Sequence, residues 1–134
     1  MAFIKIVING AFGRMGSMVC EALADSDDIE VIGRLGKDDH LGNILTELRP
    51  DVSLELTQAD CVYDNALTTI KAGIRPVIGA SGLSKTEMVE LKKLSDQQSL
   101  GGMIVPNFSL AAALMMHCSA WIGQYLPDVG QIVF

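Results

Sequence analysis

Apolar, β-branched runs alternate with helical patterns across short connections, which predicts an α/β fold: a doubly wound, mainly parallel sheet with helices on both faces. Two further observations support it. The first run feeds straight into a glycine-rich turn and then a helix, and the later strand ends run into glycine, small hydroxyl or amide residues. By length, 134 residues make one domain, 1–134, and 49% hydrophobic content supplies a core for it.

The elements follow in order. Strands are expected near Phe3–Ile8, Glu30–Arg34, Val52–Leu56, Pro76–Ile78, Met103–Val105 and Gln131–Phe134, where short apolar runs are bounded by turn residues. Helices are expected near Arg14–Ala24, Leu41–Leu48, Asp60–Ala72, Ser84–Gln98 and Leu110–Tyr125. In the first of these, Met15, Met18, Val19, Ala22 and Leu23 recur at helical spacing. Gly73 stands where a helix C-cap falls, and Ser84 with Glu87 three residues on forms a capping-box pattern.

The turn Gly10-Ala11-Phe12-Gly13-Arg14-Met15-Gly16 carries the chemistry. A glycine backbone turns sharply and approaches a pyrophosphate closely, and the N–H groups and dipole of the following helix favour the anion. Arg14 adds a positive charge there. The glycines are spaced G-x-x-G-x-x-G, with Phe12 where the commoner G-x-G-x-x-G has its middle glycine. Strand, glycine turn and helix in this order predict a Rossmann-like fold with a dinucleotide site. In such sheets ligands lie beyond the carboxyl ends of the strands. Those ends here carry Arg34 to Asp39, Leu56-Thr57-Gln58, Gly79-Ala80-Ser81-Gly82 and Pro106-Asn107-Phe108-Ser109.

Composition excludes several classes. A net charge of −6 without a basic stripe, and 5% aromatic residues, argue against binding nucleic acid or an anionic membrane. Cys20, Cys61 and Cys118 are widely separated and lack metal-ligand spacing, so no metal is expected and reduced, mostly buried thiols in a cytoplasmic protein are the default. No signal-peptide pattern opens the chain, and Leu110 to Ile122 falls short of the roughly 20 residues of a membrane span. From Ser99 to Phe134 the sole formal charge is on Asp128. The Leu110–Tyr125 helix is apolar almost all round, so it is either a central buried helix or one that packs on another domain or subunit. The second reading implies a homo-oligomer or a chain cut between domains, and the apolar run Gln131–Phe134 fits such a cut.

On these residues the chain resembles the cofactor domain of the dihydrodipicolinate reductase (4-hydroxy-tetrahydrodipicolinate reductase) family of the lysine pathway. Gly10 to Gly16 is similar to its G-x-x-G-R-M-G loop, Gly79 to Gly82 to its G-T-T-G segment, Asn107-Phe108-Ser109 to its N-F-S segment, and Leu56-Thr57 to its F-T. The chain departs from the family where Glu55-Leu56-Thr57-Gln58-Ala59 replaces D-F-T-x-P and where Ala80 and Ser81 replace two threonines. Gly36 also replaces the acidic residue often found after the second strand. The family's substrate domain, with its H-H and K-x-D-A-P-S-G-T motifs, has no counterpart in the chain.

The resemblance implies hydride transfer from NADPH or NADH to a cyclic, imine-like dicarboxylate. It implies that Gly10, Ala11, Phe12, Gly13, Arg14 and Met15, with Gly16 closing the loop, hold the pyrophosphate, and that Lys37 lies near the adenosine ribose. Thr57 joins the rim. Gly79, Ala80 and Ser81 would lie by the nicotinamide ribose and carboxamide, Val105, Pro106, Asn107 and Phe108 would flank the ring, and Ser81 would reach toward substrate. With Gly36 in place of the acid and Arg34 and Lys37 nearby, NADPH is expected to be accepted at least as well as NADH, unless Asp38 reaches the ribose. Each has a plainer alternative: Lys37 in a solvated loop, Phe108 in the core, Thr57 as a helix cap, His40 on a loop surface. His117 and Cys118 point about 100° apart on their helix and form no dyad. No catalytic residue is expected within the chain. Two other functions fit the same residues: a nucleotide-sensing module without turnover, or the cofactor domain of another amino-acid-type dehydrogenase.

Overall fold

The computed structural model describes residues 3–105 and 109–125. The chain runs β1 (Ile4–Asn9), α1 (Arg14–Ala22), β2 (Ile29–Leu35), α2 (Leu41–Leu48), β3 (Val52–Glu55), α3 (Val62–Lys71), β4 (Arg75–Ile78), α4 (Lys85–Gln97), β5 (Met103–Ile104) and α5 (Leu110–Tyr125). The strands form a parallel sheet in the order β2-β1-β3-β4-β5. The chain leaves β1 toward β2, then crosses back over β1 to β3. The carboxyl ends of β1 and β3 therefore flank the point where the winding direction reverses.

Alternation along the strands divides the core. Ile6, Ile8 and Leu54 face α1, where Cys20, Val19 and Leu23 close over them. Val7 and Leu35 face the other way, against Leu41 and Leu45 of α2. Ile78 packs on the same side against Val62, Ala66 and Ile70 of α3 and Leu91 of α4. Helices thus cover both faces, as the period-2 strands and period-3.6 helices require.

Local chemistry sets several of the ends. Gly73 stands one residue beyond the α3 C-cap at φ +76°; its N–H donates to Ile70 O and that of Ile74 to Thr69 O, a Schellman closure. At α4, Ser84 Oγ accepts from the Glu87 N–H and the Glu87 carboxylate accepts from the Ser84 N–H, completing the expected capping box.

The differences from expectation are small but physical. The helix expected from Asp60 starts at Val62, because Cys61 and Val62 N–H both donate to Gln58 O and hold a turn first. The helix expected to reach Ala24 ends at Ala22, and β5 stops at Ile104. The strand expected at 131–134 lies outside the described residues. Of the thiols, Cys20 is buried, Cys61 half-buried and Cys118 exposed, so the expectation of mostly buried cysteines fails with the exposure of α5.

Of the two sequence readings of α5, the structure removes the centrally buried helix. Leu114, Met115, Met116, Trp121, Ile122 and Tyr125 are each more than half exposed. Trp121 and Tyr125 meet edge to face with centroids 5.7 Å apart. Among the described residues, no helix is long and apolar enough to cross a membrane.

Candidate functional site

A cleft of about 900 Å³ opens at the carboxyl ends of β1, β2 and β3 and extends between the N-terminal turns of α2 and α3. Its lining includes Gly10, Phe12 and Gly13 from the first turn, Lys37 and Asp39 after β2, and Thr57 and Gln58 after β3. Topology places it there, since the reversal between β1 and β3 leaves their exits uncovered.

The first turn is rigidly tied. Gly10 has φ +83°, and a Cβ on it would lie 2.7 Å from Leu56 O. Its N–H and that of Ala11 both donate to Leu35 O at 3.0 Å, joining the turn to the end of β2. Gly16 is buried, and a Cβ on it would lie 2.1 Å from Gly10 O, so only glycine lets α1 pack this close to the turn. Gly13 is the N-cap of α1 and lines the cleft; the nearest atom to a Cβ there would be Gly10 O at 3.3 Å. Arg14 and Met15 are exposed in the first turn of α1.

Beneath the cleft lies a polar network that sequence reasoning missed. Asn9 and Glu55 are register partners on β1 and β3, and both are buried. Asn9 Nδ2 donates to Glu55 Oε2 at 2.8 Å. Glu55 Oε1 accepts from the Thr57 N–H at 2.9 Å and from the Thr57 hydroxyl. Burial pushes the Glu55 carboxyl above its ordinary value of 4.5, and the hydrogen bonds from Thr57, Asn9 and Asn65 offset part of that rise. Thr57 Oγ1 in turn accepts from Cys61 Sγ at 3.2 Å and Asn65 Nδ2 at 3.4 Å. Its hydroxyl is therefore fully engaged inside the protein. Thr57 does not cap α3, whose N-cap is Cys61 with no side-chain cap bond. A polar side chain at each inward-facing strand end, Asn9 and Glu55, was the available signal; the register that pairs them was not.

The structure brings Gly10, Phe12, Gly13, Lys37 and Thr57 together around one cleft. Arg34 does not join them: it lines a separate hollow with Ala11, Ser17, Cys20 and Glu21, on the far side of Phe12. Gly79 and Ala80 donate their N–H groups to Glu55 O at 2.9 and 3.1 Å, so the turn after β4 sits beside the end of β3, with Ser81 exposed at its tip. Val105 follows β5 and donates to Ile78 O at 2.8 Å. Pro106, Asn107 and Phe108 lie outside the described residues. His40 is exposed, as expected of a loop, yet it also lines the cleft as the N-cap of α2.

Comparison with known proteins agrees with this geometry. The family described as "Dihydrodipicolinate reductase, N-terminus" matches residues 4–108. A 4-hydroxy-tetrahydrodipicolinate reductase from Legionella pneumophila (strain Lens) is 44% identical over 93% of the chain and 51% of its own length. One from Coxiella burnetii (strain Dugway 5J108-111) is 36% identical over 94% of the chain and 53% of its own length. The chain thus spans about half the length of these curated relatives. Among solved structures, the dipicolinate-bound dihydrodipicolinate reductase from Paenisporosarcina sp. TG-14 superposes with a TM-score of 0.81 at 23% identity, covering 92% of this chain and 55% of that one. The match to the family over most of its length shows that this chain belongs to the dihydrodipicolinate reductase family, as its N-terminal domain.

Proposed function

We propose that this chain is the nicotinamide-dinucleotide-binding part of a 4-hydroxy-tetrahydrodipicolinate reductase acting in the diaminopimelate route to lysine. The observation that carries the reading is the Gly10–Gly16 turn, tied to β2 through Leu35 O, closely approached by Leu56 after β3 at the switch point of the sheet, and opening on the cleft. The turn fits a pyrophosphate. At Gly13, where a backbone should meet phosphate, the backbone lines the cleft with Gly10 O as the one atom within 4 Å of a Cβ position, and the first N–H groups of α1 follow directly. Gly10 to Met15 would hold the pyrophosphate and Lys37 the adenosine end. The turn Gly79 to Ser81 and the segment from Val105 to Phe108 would flank the nicotinamide.

When bound, the nicotinamide supplies a hydride for the substrate; the protein's part is position and electrostatics. Glu55 and Asn9 fix the exits of β3 and β1 relative to each other, and through the Glu55 carbonyl they also set the β4 turn. Ser81, exposed at that turn, is placed to reach toward substrate. Reduction of an imine also needs a proton donor. The segments assigned to the nicotinamide, Gly79 to Ser81 and Val105 to Phe108, carry no histidine or lysine, and we assign the donor to the half that the relatives carry in addition. We place the protein in the cytoplasm, as a biosynthetic enzyme, with α5 as the face through which it associates.

Calorimetric titration of the chain with reduced nicotinamide dinucleotides tests the reading. Binding is expected in the wild-type chain, with a loss of about tenfold or more in Gly13→Val, where a branched side chain enters the space kept for phosphate. Unchanged affinity in a folded Gly13→Val variant removes this turn from the site.

A further inference from the structure

At the end of β2 the structure turns a loop carboxylate, that of Asp39, back onto the strand end. Gly36 stands where the acidic residue of dinucleotide-binding folds commonly accepts the ribose hydroxyls. The chain turns there, and the Gly36 N–H donates to Asp39 Oδ2 at 2.7 Å, while the Asp39 N–H returns to Gly36 O at 3.5 Å. Asp39 is thereby folded back onto the strand end. A Cβ on Gly36 would lie 3.0 and 3.3 Å from two atoms of the Phe12 ring and 3.8 Å from Asp39 Oδ2. Ring and carboxylate thus flank one backbone position, and a side chain at 36 would press into the ring. Two departures from the common pattern thus meet at one place: Phe12 of the glycine turn crowds residue 36, which carries no acid of its own, and Asp39 brings a carboxylate there from three residues on.

We infer that Asp39 accepts the adenosine ribose hydroxyls and selects against a 2′-phosphate, so that the chain binds NADH more tightly than NADPH. The inference rests on reading the cleft as a dinucleotide site. The carboxylate keeps acceptor capacity beyond the Gly36 bond, because two oxygens carry about four lone-pair sites. Phe12, Gly36, Lys37 and Asp39 line one wall of the cleft, tied to the Gly10 turn through Leu35 O. Among the described residues lining the cleft, Lys37 is the one Lys or Arg side chain, set against Asp39 and Asp60. Arg34, the second cation that favoured NADPH in the sequence, lies across Phe12 in the other hollow. A phosphate dianion beside Asp39 meets a like charge, and a ribose hydroxyl meets an acceptor.

Dissociation constants for NADH and NADPH, measured by calorimetry on the wild-type chain, Asp39→Asn and Asp38→Asn, test this. Asp39→Asn keeps an oxygen for the Gly36 N–H, so the turn survives while the charge is lost. The wild-type chain is expected to favour NADH by about tenfold or more, Asp39→Asn to lose most of that ratio, and Asp38→Asn to keep it. A wild-type preference for NADPH, or an unchanged ratio in Asp39→Asn, overturns the role of Asp39 while leaving the cleft as a dinucleotide site. Failure of the wild-type chain to bind either dinucleotide overturns both.

Discussion

The leucines at the start of α2 and the apolar residues of α5 end in opposite states. Leu41 and Leu45 are closed to solvent at 8% and 1% exposure, whereas Leu114 and Met115 stand at 55% and 68%. Both segments are rich in leucine and alanine-sized or larger apolar groups, so hydrophobic content does not separate them. Pattern does. In α2, Leu41, Ile44, Leu45 and Leu48 recur along one stripe with Asn43, Thr46 and Glu47 opposite, and the stripe has Val7 and Leu35 to cover. In α5, apolar side chains surround the axis, so no single face is marked for the sheet. A helix of that kind is satisfied only by cover on several sides.

A pair of matched truncations tests the contrast most severely. Leu45→Ala should destabilise the chain by about 2–5 kcal/mol, because a fully buried side chain leaves a cavity. Leu114→Ala should stay within about 0.5 kcal/mol, as for a surface change. Urea unfolding of both variants measures this. An equal loss for Leu114→Ala would mean that α5 is packed in solution, and the contrast would vanish.

The same contrast shows how far the sequence could be read. Features made by a few consecutive residues were legible: the glycine turn, the Schellman closure at Gly73, and the capping box of Ser84 and Glu87. So was the parallel sheet, because β-branched runs alternate with helical stripes. Features made across strands were not. Asn9 and Glu55 are 46 positions apart, and only the β1–β3 register makes them partners. Asp39 looked like one of two acids in a solvated loop until the turn at Gly36 aimed it at the cleft. Left-handed residues such as Arg49 and Ser99 were also hidden, since neither is the glycine that such a backbone usually announces.

Glu55 offers a smaller and more selective test, set in the sheet. Glu55→Ala should cost about 1–3 kcal/mol, because it strips the acceptor from the buried Asn9 amide and the Thr57 N–H. The pH dependence has a definite sign. Burial raises the Glu55 carboxyl above 4.5, so above that value the unfolded chain has released the proton while the folded chain still holds it. Folding takes up a proton in that window. Stability from this group is therefore greatest below 4.5 and falls as pH rises through the raised folded value. In Glu55→Gln, which carries no titrating group, this fall should be absent. Denaturant titrations from pH 4 upward measure the difference between the two proteins; a wild-type chain that gains stability over Glu55→Gln as pH rises would show the carboxylate to be favoured in place.

The finest comparison uses one motif at two places. Ser84 Oγ accepts from the Glu87 N–H at 3.2 Å at the start of α4, and Ser109 Oγ accepts from the Ala112 N–H at 3.3 Å at the start of α5. The bonds are alike, but the residue three on is Glu87 at α4 and Ala112 at α5, and among the described residues α4 contributes a buried side chain, Leu91, to a core cluster while α5 contributes none. A cap lends its energy to global stability only when its helix unfolds with the core. Ser84→Ala should therefore lower the free energy of unfolding by about 1 kcal/mol. Ser109→Ala should leave it within about 0.3 kcal/mol and instead speed amide hydrogen exchange in the first turn of α5. Exchange measured beside urea unfolding separates the two effects. Equal global losses from both serines would join α5 to the cooperative unit, and the apolar helix would then have to be counted with the core rather than against it.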